Sequence, residues 1–283
     1  MTNGQSIVRG ASFLVASELS FAISAAIIKS LSVSLPNESI VFFRNLFGIL
    51  ILTPLLIKSG TNILKTDRLF LHFLRSGFGM GAMYCFFYAL GHIPLADSML
   101  IKSTIPLIIP FIAAFWLKEN ISHRVILAGG IGFMGVFLIL KPDGNMNWAS
   151  IIALISSLLA AMAFVTVRKL SATEPALRIV SYFAIIGLSI SAVPLIRVWQ
   201  TPTLSQLLML MGIGLTTTIG QLLLTRAYQS ASASSVGIFT YTSVPFGTFL
   251  GWLFWNELLD INSLLGAILI VLSGSIVLKE KRN

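Results

Sequence analysis

Of the 283 residues, 56% are hydrophobic and only 10% are charged, with a mean hydropathy of +0.91. A soluble domain carries about a quarter charged residues, so this chain lacks the polar side chains to cover a water-exposed surface and is expected to be a polytopic membrane protein. The net charge of +9 comes from basic residues scattered between apolar runs, so it is not a nucleic-acid signal and reports membrane orientation instead.

A helical span needs about 20 apolar residues at 1.5 Å each. In chain order the spans are expected at 7–28, 39–57, 69–90, 95–117, 123–140, 148–167, 177–198, 204–228, 233–255 and 261–278. Barrel strands are excluded, because they run to about 10 residues and alternate in polarity. The first run is longer than the apolar core of a secretory signal and is interrupted by Glu18, so it is expected to be an uncleaved span with no soluble domain before it. Loops are short, the longest being "KSGTNILKTDR" at 58–68, which leaves no room for a catalytic domain outside the membrane. The one cysteine, Cys85, makes no intrachain disulfide or metal site and is expected to be a packing residue.

Lys and Arg set the orientation. With a cytoplasmic N-terminus, the inner segments hold thirteen basic residues and the outer ones only Lys29, Lys141 and Arg197. Both termini are therefore expected in the cytoplasm of a bacterial-type inner membrane. Arg44, Arg75 and Lys102 belong to neither side and lie within spans.

A shift of 138 or 139 residues brings the halves into register. "IIKSLS" at 27–32 meets "TVRKLS" at 166–171, Pro36 meets Pro175, and Glu119 meets Glu257. The expected division is 1–143 and 144–283, five spans each. An odd number of spans inverts the second repeat relative to the first, the architecture of alternating-access transporters.

"FFRNLFGILILTPLL" at 42–56 resembles the second span of the EamA family in the drug/metabolite transporter superfamily, where an aromatic–Arg pair opens an apolar helix. "YCFFYALGHIPLADSMLIKSTIPLIIPFIAAFWLKENISHRVILAGGIGFMGVFLIL" at 84–140 is similar to its third to fifth spans, and the second half repeats the pattern to position 278. The resemblance implies ten helices, two inverted five-helix repeats, and export or exchange of small metabolites such as amino acids. Lys102 is not part of that pattern, so it is expected to mark this member's own cargo.

Ionisable groups within a span cost at least ~2.5–3.5 kcal/mol, so they face a cavity or a partner. By helical rise, Lys102, Arg44 and Tyr84 lie about 8–10 Å below the outer surface on three different spans. Glu18 lies about 15 Å from either end of span one, near the midplane. Arg44 and Lys102 either snorkel outward along their stems or give an outer cavity positive potential that attracts a carboxylate. Glu18 is an inert protonated core residue, the partner of a cargo ammonium, or the site of a coupling proton. Tyr84 and Tyr88 are belt aromatics or line the same cavity. Arg75, six residues from the inner end of span three, is read as snorkelling, and Glu119 and Glu257 as helix-end anchors.

Proline cannot donate to the carbonyl four residues back, so Pro106 frees that of Lys102, Pro110 that of Pro106, and Pro245 that of Tyr241. Span four is therefore expected to kink beside its ammonium. Tyr241, about 12 Å from the inner end, is the mirror counterpart of Lys102, with Gln221 as its companion. Lys102→Met is expected to weaken binding and leave folding intact. Small residues in "GGIGFMGVF" and "GAILIVLSGS" are expected to pack spans five and ten closely, within one chain or across a homodimer.

The leading function is secondary active transport, by export or exchange, of a small carboxylate-bearing metabolite, with a proton as a candidate co-substrate. The alternatives are an importer or antiporter of an adenosine-like or nucleotide-linked metabolite, and a lipophilic drug exporter. No cofactor is expected. An enzyme is disfavoured because HExxH and paired intramembrane aspartates are absent and His72, His92 and His123 sit singly, and GxxxxGK[ST] is absent, which excludes primary active transport.

Overall fold

The computed structural model describes residues 3–117, 123–140, 147–230 and 237–280. Glu119, Lys118, Lys141, Lys281 and Arg282, used above for orientation and the repeat, lie outside the described residues. Those described are helical, with no strand among them: α1 (Asn3–Leu31), α2 (Asn37–Ser59), α3 (Leu69–Leu90), α4 (Leu95–Lys102), α5 (Ile105–Leu117), α6 (His123–Leu140), α7 (Trp148–Leu170), α8 (Ala176–Val198), α9 (Leu204–Ser230), α10 (Ser243–Trp255) and α11 (Ile261–Glu280). Among the described residues, six stretches are long and apolar enough to cross a membrane: Val8–Leu31, Asn37–Ser59, Leu95–Ile112, Trp148–Leu170, Ala176–Val198 and Leu204–Ser230.

The helix starts have local causes. Pro36, Pro94 and Pro175 precede α2, α4 and α8 in extended backbone, and Asn147 caps α7 by accepting the Ala149 N–H. Asn256 closes α10 in the left-handed region, φ 54°.

Two expected spans differ from continuous helices. The fourth is broken at Ser103 and Thr104, so α4 ends on Lys102 and α5 begins at Ile105. Pro106 therefore stands in the first turn of α5, where a missing N–H costs nothing, and only Pro110 lies inside that helix. The Ile101 carbonyl at the break accepts both the N–H and the hydroxyl of Thr104 and the hydroxyl of Ser157. In the second half a 3₁₀ turn at Gly237–Thr242 precedes α10, and Pro245 is again in the first turn. The two breaks meet, with Ser103 and Ser243 hydroxyls 3.2 Å apart.

Helices pair across the halves: α1 on α9, α3 on α7, α2 on α8 and α9, α6 on α11. In lipid, association rests on close packing of small residues and on hydrogen bonds between helices, because lipid tails are as apolar as leucine. The α6–α11 pair shows this within one chain. A Cβ added to Gly135 would lie 2.7 Å from the Gly266 carbonyl oxygen, and one on Gly266 2.6 Å from that of Gly135. Nearby, the Ser273 hydroxyl donates to the Ala128 carbonyl. The largest apolar cluster joins α1, α2, α3, α4, α8 and α9 around Phe43, Met80, Met99 and Phe183.

Candidate functional site

Polar groups penetrate that cluster along one face of α9. Arg44 of α2 is 4% exposed; its Nε donates to Thr217 Oγ1 at 3.2 Å and one terminal nitrogen to Asn45 Oδ1 at 2.8 Å. Its guanidinium carbon lies 4.9 Å from the centroid of the Phe183 ring on α8. Arg75 of α3 is 3% exposed and lies 3.5 Å from the same centroid, with a terminal nitrogen donating to Gln221 Oε1 at 3.0 Å. Thr217 and Gln221 are one helical turn apart on α9, so a single helix face serves both guanidiniums.

Beside them lies an ion pair. Lys102 Nζ, at the last residue of α4, donates to Glu18 Oε2 on α1 at 2.8 Å. The ammonium also sits 5.0 Å from the Phe21 ring centroid. Ser17, next to Glu18, donates to the carbonyl of Gly220, next to Gln221, which ties α1 to the helix that serves both arginines. The helix break supports the arrangement, because α4 stops where its ammonium must turn toward α1.

The structure thus brings together Glu18 with Lys102, and Arg44 with Gln221 by way of Thr217, Phe183 and Arg75. The others lie elsewhere. Tyr84 packs on the apolar cluster with a buried hydroxyl that has no hydrogen-bond partner among the described residues, while the Asn37 amide holds its carbonyl. Tyr88 is 40% exposed and stacks on His92 at 4.1 Å. Tyr241 is buried against α11, in the space a Cβ on Gly274 would need, and Gln221 bonds Arg75 and not Tyr241. Pro106 and Pro245 stand in the first turns after the two breaks, and Pro110 lies inside α5. Arg75, read from the sequence as snorkelling to the inner interface, points inward instead. Asn45, Thr217 and Phe183 were not singled out; Asn45 beside Arg44 in the "FFRN" run was the available signal.

Two further clusters hold the helix ends. Lys29 bonds Glu257 and the Ile93 carbonyl, both at 2.8 Å, and the other oxygen of Glu257 accepts the Leu95 N–H, tying α1, α4 and the end of α10. Glu174, in the turn before α8, accepts from Thr66 and Arg178. Burial raises its pKa, but these hydrogen bonds and the Arg178 charge outweigh that and hold it below the usual value.

Helices of membrane length, with cations and a carboxylate buried between them, define a polytopic membrane protein with a polar interior. The chain belongs to the EamA-like transporter family, whose model matches residues 8–141 and again 147–278. It is 32% identical to a pseudopaline exporter of Pseudomonas aeruginosa over 97% of each chain. It is 28% identical to an S-adenosylmethionine uptake transporter of Rickettsia bellii, covering 86% of this chain and 84% of that one. A riboflavin transporter of Vibrio cholerae is 26% identical over 95% of this chain and 93% of its own. A solved crystal structure superposes with a TM-score of 0.69 over 98% of each chain at 16% identity, which establishes a shared fold. The family and these relatives are described as transporters, not enzymes.

Proposed function

We propose that this chain is a secondary active transporter, by export or exchange, of a small polar metabolite carrying a carboxylate, in the class of amino acids and organic acids. One observation carries the reading: the buried Arg44 guanidinium bonds only neutral groups, Thr217 and Asn45, and no carboxylate among the described residues is in salt-bridge range. Removing an ion from water costs several kcal/mol in effect, and a cargo carboxylate would repay that cost on binding.

The Glu18–Lys102 pair completes the proposal. A zwitterionic cargo would place its ammonium on Glu18 and so free Lys102 to join Arg44 in attracting the cargo's carboxylate. Protonation of Glu18 would release Lys102 in the same way, which is a route to proton coupling.

The proposed topology is ten spans in two inverted repeats, 1–143 and 144–283, with both termini cytoplasmic in an inner membrane. Support comes from the two family matches and from reciprocal packing, since α1 on α9 and α3 on α7 are the pairs an exchange of halves would interconvert. The relatives' names differ in cargo and direction. An adenosine-like cargo is the second reading, favoured by the S-adenosylmethionine uptake relative.

The test is thermal stabilisation of the purified protein by amino acids, organic acids and adenosine compounds, because a ligand that binds only the folded state raises the melting temperature. The proposal expects carboxylate-bearing compounds to stabilise wild type and to lose that effect in Arg44→Gln. Stabilisation by lipophilic cations or uncharged compounds, with none by any carboxylate, would overturn it.

A further inference from the structure

We propose that Arg75 and Arg44 form a two-point anion site, so that the cargo presents two negative groups, as a dicarboxylate or a phosphate monoester does. This rests on the reading that Arg44 receives an anionic group of the cargo, and it adds a second cation that the sequence placed at the membrane surface.

Arg75 is built in, not stranded. Its guanidinium packs against Gly79, one turn further along α3, where an added Cβ would lie 3.0 Å from a terminal nitrogen and 2.9 Å from the Phe183 ring. Any larger residue at position 79 would therefore push it away. A guanidinium has five N–H donors. Here one nitrogen bonds Gln221, while Nε and the other terminal nitrogen are buried with no partner among the described residues. The Phe183 face offsets part of the desolvation but satisfies none of these donors.

The partners matter as much as the cations. Thr217, Asn45 and Gln221 are all neutral, and the nearby carboxylate, Glu18, is already bonded to Lys102. Among the described residues, then, no carboxylate stands against either guanidinium, and the site carries two uncompensated positive charges. A monoanion would leave one of them buried and unpaired, whereas a dianion would neutralise both. Arg44 comes seven residues into α2 and Arg75 six into α3, so their stems enter from opposite ends and converge on one ring. Guanidiniums at 4.9 and 3.5 Å from a common centroid are close enough for one small molecule to bridge. The planar fork suits both carboxylate and phosphate oxygens.

The experiment compares matched ligands on detergent-purified wild-type protein at constant ionic strength. Dicarboxylates of three to six carbons are set against their monomethyl esters, and glycerol phosphate against its methyl diester. The expected result is a larger rise in melting temperature with the dianion of at least one pair. In Arg75→Gln that advantage disappears, with an apparent affinity loss for the dianion of at least about tenfold. Empty Arg75→Gln melts no lower than wild type, because it sheds an unpaired buried charge. The carboxylate and phosphate arms identify which oxyanion is read.

Monoesters that stabilise as well as diacids overturn this inference and leave the proposed function standing, and so does a dianion advantage that survives Arg75→Gln. An Arg75→Gln that melts well below wild type yet keeps the dianion advantage marks the residue as structural. If no anion stabilises wild type, both readings fall. Should Arg75→Gln not fold, the wild-type comparison and Arg75→Lys, which keeps the charge but loses the fork, still decide the matter.

Discussion

Lys102→Met removes the partner of a carboxylate that is 4% exposed, and its effect can be worked from the pair's geometry. Opposite charges 2.8 Å apart attract by about 6 kcal/mol at an effective dielectric constant near 20. Desolvation opposes most of that, and breaking a buried pair by removing one member costs about 3–5 kcal/mol. The two single changes are not equivalent. The Lys102 side chain is 19% exposed against 5% for Glu18, so an orphaned ammonium is less confined than an orphaned carboxylate. Lys102→Met should therefore cost about 3 kcal/mol, Glu18→Gln less, and the double variant less than the sum. This amends the expectation from sequence that Lys102→Met spares folding. The assay is an unfolding titration of the four proteins in mixed micelles at neutral pH. Two singles within about 0.5 kcal/mol of wild type, or strict additivity in the double, would refute the reasoning.

Other expectations follow from packing, titration and coupling. Gly135→Ala places a methyl against the Gly266 backbone, which cannot rotate aside, and should destabilise by about 1–3 kcal/mol. Gly130→Ala on the same helix meets nothing within 4 Å and should be neutral or stabilising by up to about 1 kcal/mol, as the same unfolding titration would show. Glu174 has a depressed folded-state pKa, so its contribution is fully present above the ordinary carboxyl value of 4.5 and is lost as pH falls through the lower folded value. Stability measured below pH 4.5 should therefore fall less steeply for Glu174→Gln than for wild type. In proteoliposomes, Glu18→Gln should abolish stimulation of transport by a pH gradient, and unchanged stimulation would remove the proton role.

Hydropathy located the helices well because burial in lipid demands long apolar runs. The expected limits 69–90 and 123–140 coincide with α3 and α6. The proline pattern located both breaks, but not their form. Proline in a first turn starts a helix as readily as it kinks one, and Ser103 and Thr104 supply the hydroxyls that let the chain break there. The Gly faces announced α6–α11 packing, since small residues at helical spacing have little other use there. Pairings were much less legible. Glu18 and Lys102 are 84 residues apart, and their expected depths, about 15 and 10 Å, did not place them together. Arg75 was misread because distance from a helix end is the same for a snorkelling arginine and one turned inward. Gly79, which makes its space, and Gln221, which meets it 146 residues away, act only after folding. Tyr84 was set beside Arg44 and Lys102 by depth, and depth does not say which way a side chain faces around the helix.

The central claim is that a buried Arg44 binds an anionic group of the cargo. The direct measurement is counterflow in proteoliposomes loaded with an unlabelled carboxylate that stabilises the protein, with uptake of its radiolabelled form followed in wild type, Arg44→Lys and Arg44→Gln. The account predicts robust counterflow in wild type, a weakened response in Arg44→Lys and loss in Arg44→Gln, with the Arg44→Gln protein still folded. Undiminished counterflow in Arg44→Gln, or counterflow confined to uncharged and cationic compounds in wild type, would contradict it.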